Sequence, residues 1–223
     1  MKNSLIHLSP EVCEPLKKYL YTKGYQLKFT RNVNSSFCSN PISMHPDIVY
    51  CHIGNGLVFH GNPEKLLSHY PSDCIYNGCS TGKYFIHKLK ITEPALLNKC
   101  SEYGLKLIDV PQGYSRCSAL PIDENSIITY DRGIARACRQ NNGPEVLLIQ
   151  SGFVHLRGYD TGFIGGTAGR IENEIIFNGD LSAHPDFSEI KSFILERKLT
   201  LKYFENEPLT DIGSIIEEKT ALL

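Results

Sequence analysis

Three aspartates stand where their carboxylates could bind an organic cation. Asp47 and Asp73 each follow a proline by one or two residues, and Asp211 lies near the C-terminal end of the chain. Carboxylates that converge on a narrow site hold a guanidinium or ammonium group through charge-assisted hydrogen bonds. Aspartate is also common in turns after proline, where its side chain bonds the backbone, so a structural role for Asp47 and Asp73 is the alternative.

Cys117 is the candidate nucleophile. A thiolate is a strong nucleophile toward an electrophilic carbon that neighbouring groups hold in place. Arg116 precedes Cys117 directly, and an adjacent arginine is expected to lower the pKa of the thiol. The alternative is a half-buried cysteine at the start of a strand, where it behaves as a small apolar residue. If the protein is an enzyme, we expect Cys117, Asp47 and Asp73 to be its catalytic residues.

A glycine-rich segment at residues 165–169 permits close approach of the backbone to a ligand. We therefore predict that Gly166 and Thr167 contact the ligand. The Thr167 hydroxyl is a weak nucleophile without an adjacent base. The segment lacks the Gly-Lys-Ser/Thr ending of a phosphate-binding loop and leads into a predicted strand, so it does not indicate a nucleotide site.

Other polar side chains complete the predicted small-molecule site. His45 and His155 are candidates for proton transfer. The eight histidines show no metal-ligating spacing, so no metal and no cofactor are predicted. The remaining residues predicted to contact the ligand are Asn77, Arg116, Ser118, Asp211 and Ser214.

Composition limits the classes of partner. The 223 residues are 41% hydrophobic and 21% charged, as in an ordinary globular protein. Lys+Arg 23 against Asp+Glu 24 gives a net charge of -1, which argues against nucleic acid because phosphate binding needs excess positive charge. No apolar run approaches the ~20 residues of a membrane-spanning helix, so no membrane partner is predicted. Oligomeric state is left open.

Cysteine content and the N-terminus bear on the compartment. The eight cysteines include no CxxC pair, and most lie in apolar or helical stretches. The N-terminal residues lack the apolar region of a secretory signal. We therefore predict unpaired thiols and a cytoplasmic location.

Helix-start signals recur along the chain. Asp131 is expected to cap a helix that runs to Gln140. At the other four starts a capping residue is followed or accompanied by proline, which suits the first helical turn. These starts lie at residues 9–11, 62–64, 92–94 and 184–186.

Hairpins and single strands fill the intervals between these helices. Helix starts recur on average about 44 residues apart, so five hairpin–helix–strand units fit the chain. The fifth hairpin is split between residues 4–8 and 208–216. We predict a single domain over residues 1–223: an α/β, five-bladed, pseudo-symmetric ββαβ propeller closed by pairing of its N- and C-terminal strands. The other predicted hairpins lie at residues 48–59, 73–86, 118–129 and 162–177.

Five such units resemble the pentein, or guanidine-modifying-enzyme, fold. Residues 114–169 are similar in order and spacing to the closing segment of arginine deiminases, and residues 162–164 to a Gly-apolar-apolar motif of dimethylarginine dimethylaminohydrolases. Residues 45–48, 70–73, 113–117 and 177–182 resemble a small bacterial family assigned to the same fold. The resemblance implies a cysteine nucleophile, a histidine acid/base and two carboxylates that clamp a guanidinium.

The sequence departs from that family at the expected nucleophile. Thr167 stands at the matching position, and no histidine begins the third hairpin. The preferred hypothesis is a small-molecule site derived from guanidine-modifying hydrolases or amidinotransferases, for an arginine-like or other cationic amine substrate, with activity left open. One alternative is a non-catalytic five-bladed module resembling the ribosome anti-association factor. Another is a binding protein that keeps the carboxylates.

Overall fold

Short strands and short helices alternate along the chain. The computed structural model describes residues 4–31 and 42–219. The strands are β1 Ser4–Leu8, β2 Gln26–Phe29, β3 Tyr50–Gly54, β4 Leu57–His60, β5 Cys79–Ser80, β6 Tyr84–His87, β7 Lys106–Asp109, β8 Ala119–Asp123, β9 Ser126–Thr129, β10 Glu145–Leu148, β11 Ala168–Ile171, β12 Glu174–Phe177, β13 Thr200–Lys202 and β14 Ile216–Lys219. The α-helices are α1 Glu14–Thr22, α2 Pro94–Glu102, α3 Ser115–Ser118, α4 Arg132–Gln140 and α5 Phe187–Glu196.

Local capping explains where the helices begin. The Asp131 side chain accepts hydrogen bonds from two amides of the first turn of α4, so the predicted cap is confirmed. Glu93 caps α2 in the same way, ahead of a proline at the first helical position. One predicted start is wrong, because the first helix begins at Glu14 rather than near Pro10. The start at residues 62–64, which the sequence marks as weaker and shorter, opens a 3-10 turn over residues 63–65 that the Asn62 side chain caps.

The strands pair into five small, separate sheets. Four sheets have three strands and combine one antiparallel with one parallel pair, in the orders β14-β1-β2, β5-β6-β7, β8-β9-β10 and β11-β12-β13. The fifth contains only the β3–β4 hairpin. In the first sheet the N-terminal strand β1 pairs antiparallel with the C-terminal strand β14, with Leu5 opposite Glu218.

The predicted five-bladed propeller is wrong. Within the described residues, the five sheets of two or three strands stay separate, and none of them closes or curls into a propeller or barrel. One predicted strand is also missing. Residues 73–76 form hydrogen-bonded turns, with the Cys74 amide donating to Pro71 O and the Asn77 amide to Cys74 O, so the hairpin strand begins only at Cys79. Strands this short stack as individual sheets because each buries its apolar face against a neighbouring helix or sheet.

Apolar side chains between the sheets and helices form several clusters. The largest contains Phe177 and Leu120 from the strands and Ile190 and Ile194 from α5, all fully buried. Burial of each such side chain contributes roughly 1.5–3 kcal/mol. The predicted free thiols are confirmed for the seven cysteines in the described residues; Cys38 lies outside them. None of the described helices is long and apolar enough to cross a membrane.

Candidate functional site

Turns that lead into separate sheets meet at one buried cluster. A 3-10 turn, Pro46–Ile48, carries Asp47 ahead of β3, and the one-turn helix α3 carries Cys117 ahead of β8. Asn77 precedes β5, and Ser214 precedes β14. All four side chains are buried and linked by hydrogen bonds, so the structure brings these predicted site residues together.

Asn77 fixes the position of Cys117. Its side-chain oxygen accepts hydrogen bonds from the amides of Arg116 (3.0 Å) and Cys117 (3.2 Å). Its side-chain amide lies 3.3 Å from Cys117 Sγ and 3.2 Å from the carbonyl oxygen of Asp47. Asn77 therefore joins the start of α3 to the turn that carries Asp47.

The surroundings of Cys117 favour the neutral thiol over the thiolate. Its Sγ donates to Asp47 Oδ2 at 3.0 Å. Burial and the carboxylates of Asp47 and Asp211 hold the pKa of the Cys117 thiol well above its ordinary value. The expectation that Arg116 would lower this pKa is wrong. The arginine guanidinium instead donates to the carbonyl oxygens of Gly165 (2.8 Å) and Ala168 (2.9 Å), and it lines a different cavity of about 390 Å³.

Asp47 is fully buried and only half satisfied. Its Oδ2 accepts from Cys117 and lies 2.7 Å from Ser214 Oγ. Its Oδ1 has no hydrogen-bond partner among the described residues. A buried carboxylate oxygen without a donor is costly, so Asp47 carries an acceptor that no donor among the described residues satisfies.

Asp211 carries the second buried carboxylate of the cluster. Its Oδ1 accepts from the amide of Gly213 (2.9 Å), and its Oδ2 accepts from the amide of Phe163 (3.0 Å). Burial, together with the charge of Asp47, raises the pKa of Asp211, against an opposing effect of His45. His45 Nδ1 lies 3.8 Å from Asp211 Oδ1, and His45 Nε2 has no partner in the described structure.

An aromatic-walled cavity of about 140 Å³ opens beside this cluster. Phe163 stacks between Tyr114 and Tyr130, with ring centroids 6.2 and 6.0 Å away. Tyr159 lies at the edge of the cavity and is half exposed. The lining residues are Ile42, His45, Ile48, Tyr114, Cys117, Leu156, Tyr159, Thr161, Phe163 and Asp211.

Asp73 lies behind the aromatic wall and not in the cavity lining. The Tyr114 hydroxyl donates to Asp73 Oδ2 at 2.5 Å, and Asp73 Oδ1 has no partner among the described residues. Burial and this carboxylate raise the pKa of Tyr114. Asp73 is therefore connected to the cavity only by its hydrogen bond with Tyr114, which lines the cavity, whereas Asp211 lines the cavity directly.

The glycine-rich segment supports the site without supplying a nucleophile. The buried Thr167 hydroxyl donates to Ile164 O at 2.7 Å, within its own 3-10 turn, and Thr167 does not line the cavity. Packing explains why residue 166 is a glycine, because an added Cβ there would collide with the Asp211 carboxylate. Ser118 is buried at the end of α3 and does not line the cavity. His155 forms a backbone β-bridge with Thr210 and does not line the cavity either.

The aromatic and apolar lining was not predicted as part of the site. The sequence marks Phe163 only as part of a Gly-apolar-apolar motif, and it carries no prediction for Tyr159 or Leu156. No spacing signal marks these residues, since they meet Tyr114 only through tertiary packing. The described residues contain one group of three metal-ligating side chains, and none of its members lines this cavity.

Comparison with known proteins gives a family. No match was found among the curated proteins or among the solved structures. Residues 59–216, more than half of the chain, match the family of unknown function DUF6873. That segment holds Asn77, Cys117, Phe163 and Asp211, whereas Asp47 lies before it. The chain belongs to the family DUF6873.

Proposed function

We propose that the cavity beside Cys117 binds a small organic cation, a guanidinium or a primary amine. The observation that carries this proposal is the pair of buried carboxylates, Asp47 and Asp211, which have no lysine or arginine partner among the described residues. Among the described residues, no lysine or arginine forms an ion pair with either one or with Asp73; only His45 lies near Asp211.

Electrostatics favours a cationic ligand over a neutral one. Two carboxylates buried near each other repel, which is one cause of the raised pKa of Asp211. A bound cation would compensate both charges in a medium where charge–charge attraction is much stronger than in water. Asp47 does not line the cavity itself, but its Oδ2 is bonded to Cys117, which does, and its Oδ1 has no donor among the described residues.

The size and walls of the cavity favour the end of a flexible chain. A dry cavity of about 150 Å³ accommodates a six-membered aromatic ring. The 140 Å³ here therefore suits a methylguanidinium-sized group, with the remainder of a larger ligand passing the half-exposed Tyr159. The stacked rings of Tyr114 and Phe163 add a cation–π surface, which contributes about 0.5–2 kcal/mol.

Hydrolysis or group transfer at the guanidine carbon is the second candidate function. It is favoured by the presence of Cys117 and His45 in the lining of the same cavity. The raised pKa of the Cys117 thiol makes the ligand-free protein a poor nucleophile. A bound cation would lower that pKa by offsetting the carboxylates, so any reaction would depend on substrate binding itself.

A thermal-shift comparison of matched ligands tests the binding proposal. Arginine and citrulline form one pair, and methylguanidinium and methylurea form another; in each pair the shapes are similar, and the guanidinium of the first (charged) member is replaced by an uncharged urea group in the second (neutral) member. We expect the charged members to raise the melting temperature in a saturable way and the neutral members to leave it unchanged. Equal shifts within each pair, or no shift with any cation, would contradict the proposal.

Product analysis then separates the two functions. Wild type and Cys117→Ser are incubated with each charged ligand that binds, and urea, ammonia and amine products are measured. Turnover that disappears in Cys117→Ser while the thermal shift remains supports the enzyme. Binding without turnover in the wild type supports a binding protein.

A further inference from the structure

A second cluster of titratable side chains lies where both ends of the chain meet. His7 is on β1, His60 is on β4, and Glu218 is on β14. His7 Nε2 lies 2.6 Å from Glu218 Oε2, and His60 Nε2 lies 2.8 Å from Glu218 Oε1. The ligating atoms of the three side chains all lie within 4.8 Å of one another.

This donor set is the kind that holds a divalent transition-metal ion. Two imidazoles and one carboxylate are a common three-residue ligand set for Zn²⁺, with water in the fourth position. Tetrahedral zinc with ordinary Zn–N bonds places two ligating imidazole rings with their centroids roughly 5 Å apart. The rings of His7 and His60 have centroids 5.8 Å apart in an edge-on arrangement. Small side-chain movements would therefore complete the geometry.

Neighbouring groups hold the two imidazoles in place. The Tyr50 ring packs against His7 (centroids 4.2 Å apart) and against His60 (5.1 Å), and Tyr50 is the cross-strand partner of His60. Ligation through Nε2 requires the ring proton on Nδ1. His7 Nδ1 has no partner among the described residues, so no donor prevents it from carrying that proton. His7 is fully buried, whereas the side chain of His60 is 47% exposed, which leaves the metal face open to water.

We propose that His7, His60 and Glu218 form a binding site for a divalent transition-metal ion, with Zn²⁺ as the ion to test. The ion would replace the protons that the imidazoles now share with Glu218. It would tie β1 to both β4 and β14, and so join the two terminal strands to the first hairpin. Because such binding favours the folded chain over the unfolded chain, the melting temperature would rise with metal concentration.

Zinc titration of the full-length chain tests this site, after treatment with a chelator to remove metal. Wild type is compared with His60→Ala and Glu218→Gln by calorimetry, and folding of each is checked by circular dichroism. His69→Ala is the matched control, because His69 is also exposed but belongs to no metal-ligating group in the described residues.

We expect one saturable Zn²⁺ site in the wild type. Loss of a direct ligand in His60→Ala or Glu218→Gln should weaken affinity by about 100-fold, the upper end of the effect of outer-shell changes, while His69→Ala stays within about twofold of wild type. Absence of saturable binding in the folded wild type would overturn the proposal, as would full affinity in both ligand variants.

Cobalt substitution excludes binding through cysteine. Co²⁺ held by two imidazoles and a carboxylate gives visible d–d bands without sulfur-to-cobalt charge transfer in the near ultraviolet. We expect this spectrum in the wild type and its loss in His60→Ala. A strong sulfur charge-transfer band would assign the metal to thiols and contradict the proposed site.

Discussion

The two clusters of titratable side chains differ in how the chain itself compensates their charge. At the cavity, the carboxylates of Asp47 and Asp211 are buried and have no lysine or arginine partner among the described residues. At the chain ends, both oxygens of Glu218 are bonded by the imidazoles of His7 and His60. The first cluster has negative charge left over for a ligand from outside, and the second has a complete internal set of contacts that a metal would have to replace.

The two clusters also differ in the direction in which the fold shifts the pKa of a carboxyl group. Burial and a like charge raise the pKa of Asp211. Burial acts in the same direction on Glu218, but the hydrogen bonds from His7 and His60 outweigh it and lower the pKa of that carboxyl. A carboxylate therefore points to an external cation when the described residues leave its charge without a cationic partner, and not because it is acidic or buried.

The largest expected effect is the loss of cation binding in Asp211→Asn. Removing one member of a buried charge pair costs about 3 kcal/mol, or roughly 100-fold in affinity. Calorimetry with methylguanidinium measures this loss. Glu205→Gln, which removes one exposed negative charge, is the control and should change affinity by less than about twofold. An unchanged affinity in Asp211→Asn would remove the distinction between the two clusters.

The next effect concerns the Cys117 thiol. Asp47 raises its pKa through its charge and by accepting its proton in a hydrogen bond, so Asp47→Asn should lower that pKa. We expect alkylation of Cys117 by iodoacetamide at pH 8 to be about tenfold faster in the variant, because a larger fraction of the thiol is ionised. Peptide mass spectrometry measures the rate, and buried Cys138 in α4 is the internal control. A slower or unchanged rate at Cys117 would show that Asp47 does not control the thiol.

A smaller effect is expected on stability, where the contributions of Glu218 and Asp211 should depend on pH in opposite directions. The folded state lowers the pKa of Glu218, so its stabilising contribution is present above pH 4.5 and is lost as pH falls through the folded pKa. The folded state raises the pKa of Asp211, so its contribution is present below pH 3.8 and is lost as pH rises through the folded pKa.

Urea unfolding between pH 3 and pH 7 tests this comparison. Relative to wild type, the free energy of unfolding of Glu218→Gln should fall as pH rises, and that of Asp211→Asn should rise, each by on the order of 1 kcal/mol. Parallel trends for the two variants would mean that the clusters do not differ as described.

The smallest expected effect is that of a substitution in one cluster on ligand binding at the other cluster. If the clusters are independent, His60→Ala should leave methylguanidinium affinity within about twofold of wild type, and Asp211→Asn should do the same for Zn²⁺ affinity. Calorimetry on the two variants and on the double variant measures this. A larger crossed effect would show that the two clusters are coupled through the fold.

Local features could be predicted from the sequence because their causes are local. The Asp131 cap and the Glu93–Pro94 start of α2 depend on amides within three residues, and both are confirmed. The propeller was wrong because the sequence shows the recurrence of elements but not how short sheets pack against one another. The sequence predicts a strand at residues 73–76, yet these residues form turns that place Asn77 at the cluster.

The site could be predicted in part. Asp47, Asn77, Cys117 and Ser214 do meet, but the influence of Arg116 was misjudged because neighbouring residues on a helical turn point in different directions. The histidine cluster could not be predicted at all. Its members are up to 211 residues apart in sequence, so no spacing motif contains them.

Carbon-13 NMR of the aspartate carboxyl groups, during titration with methylguanidinium, tests the central claim most directly. The account predicts saturable shifts of the Asp47 and Asp211 resonances, assigned with the two Asn variants, while exposed Asp109, outside the cavity lining, stays unchanged and methylurea has no effect. If the Asp47 and Asp211 resonances do not move, or move no more than that of Asp109, the cavity does not bind an organic cation and the proposed function is wrong.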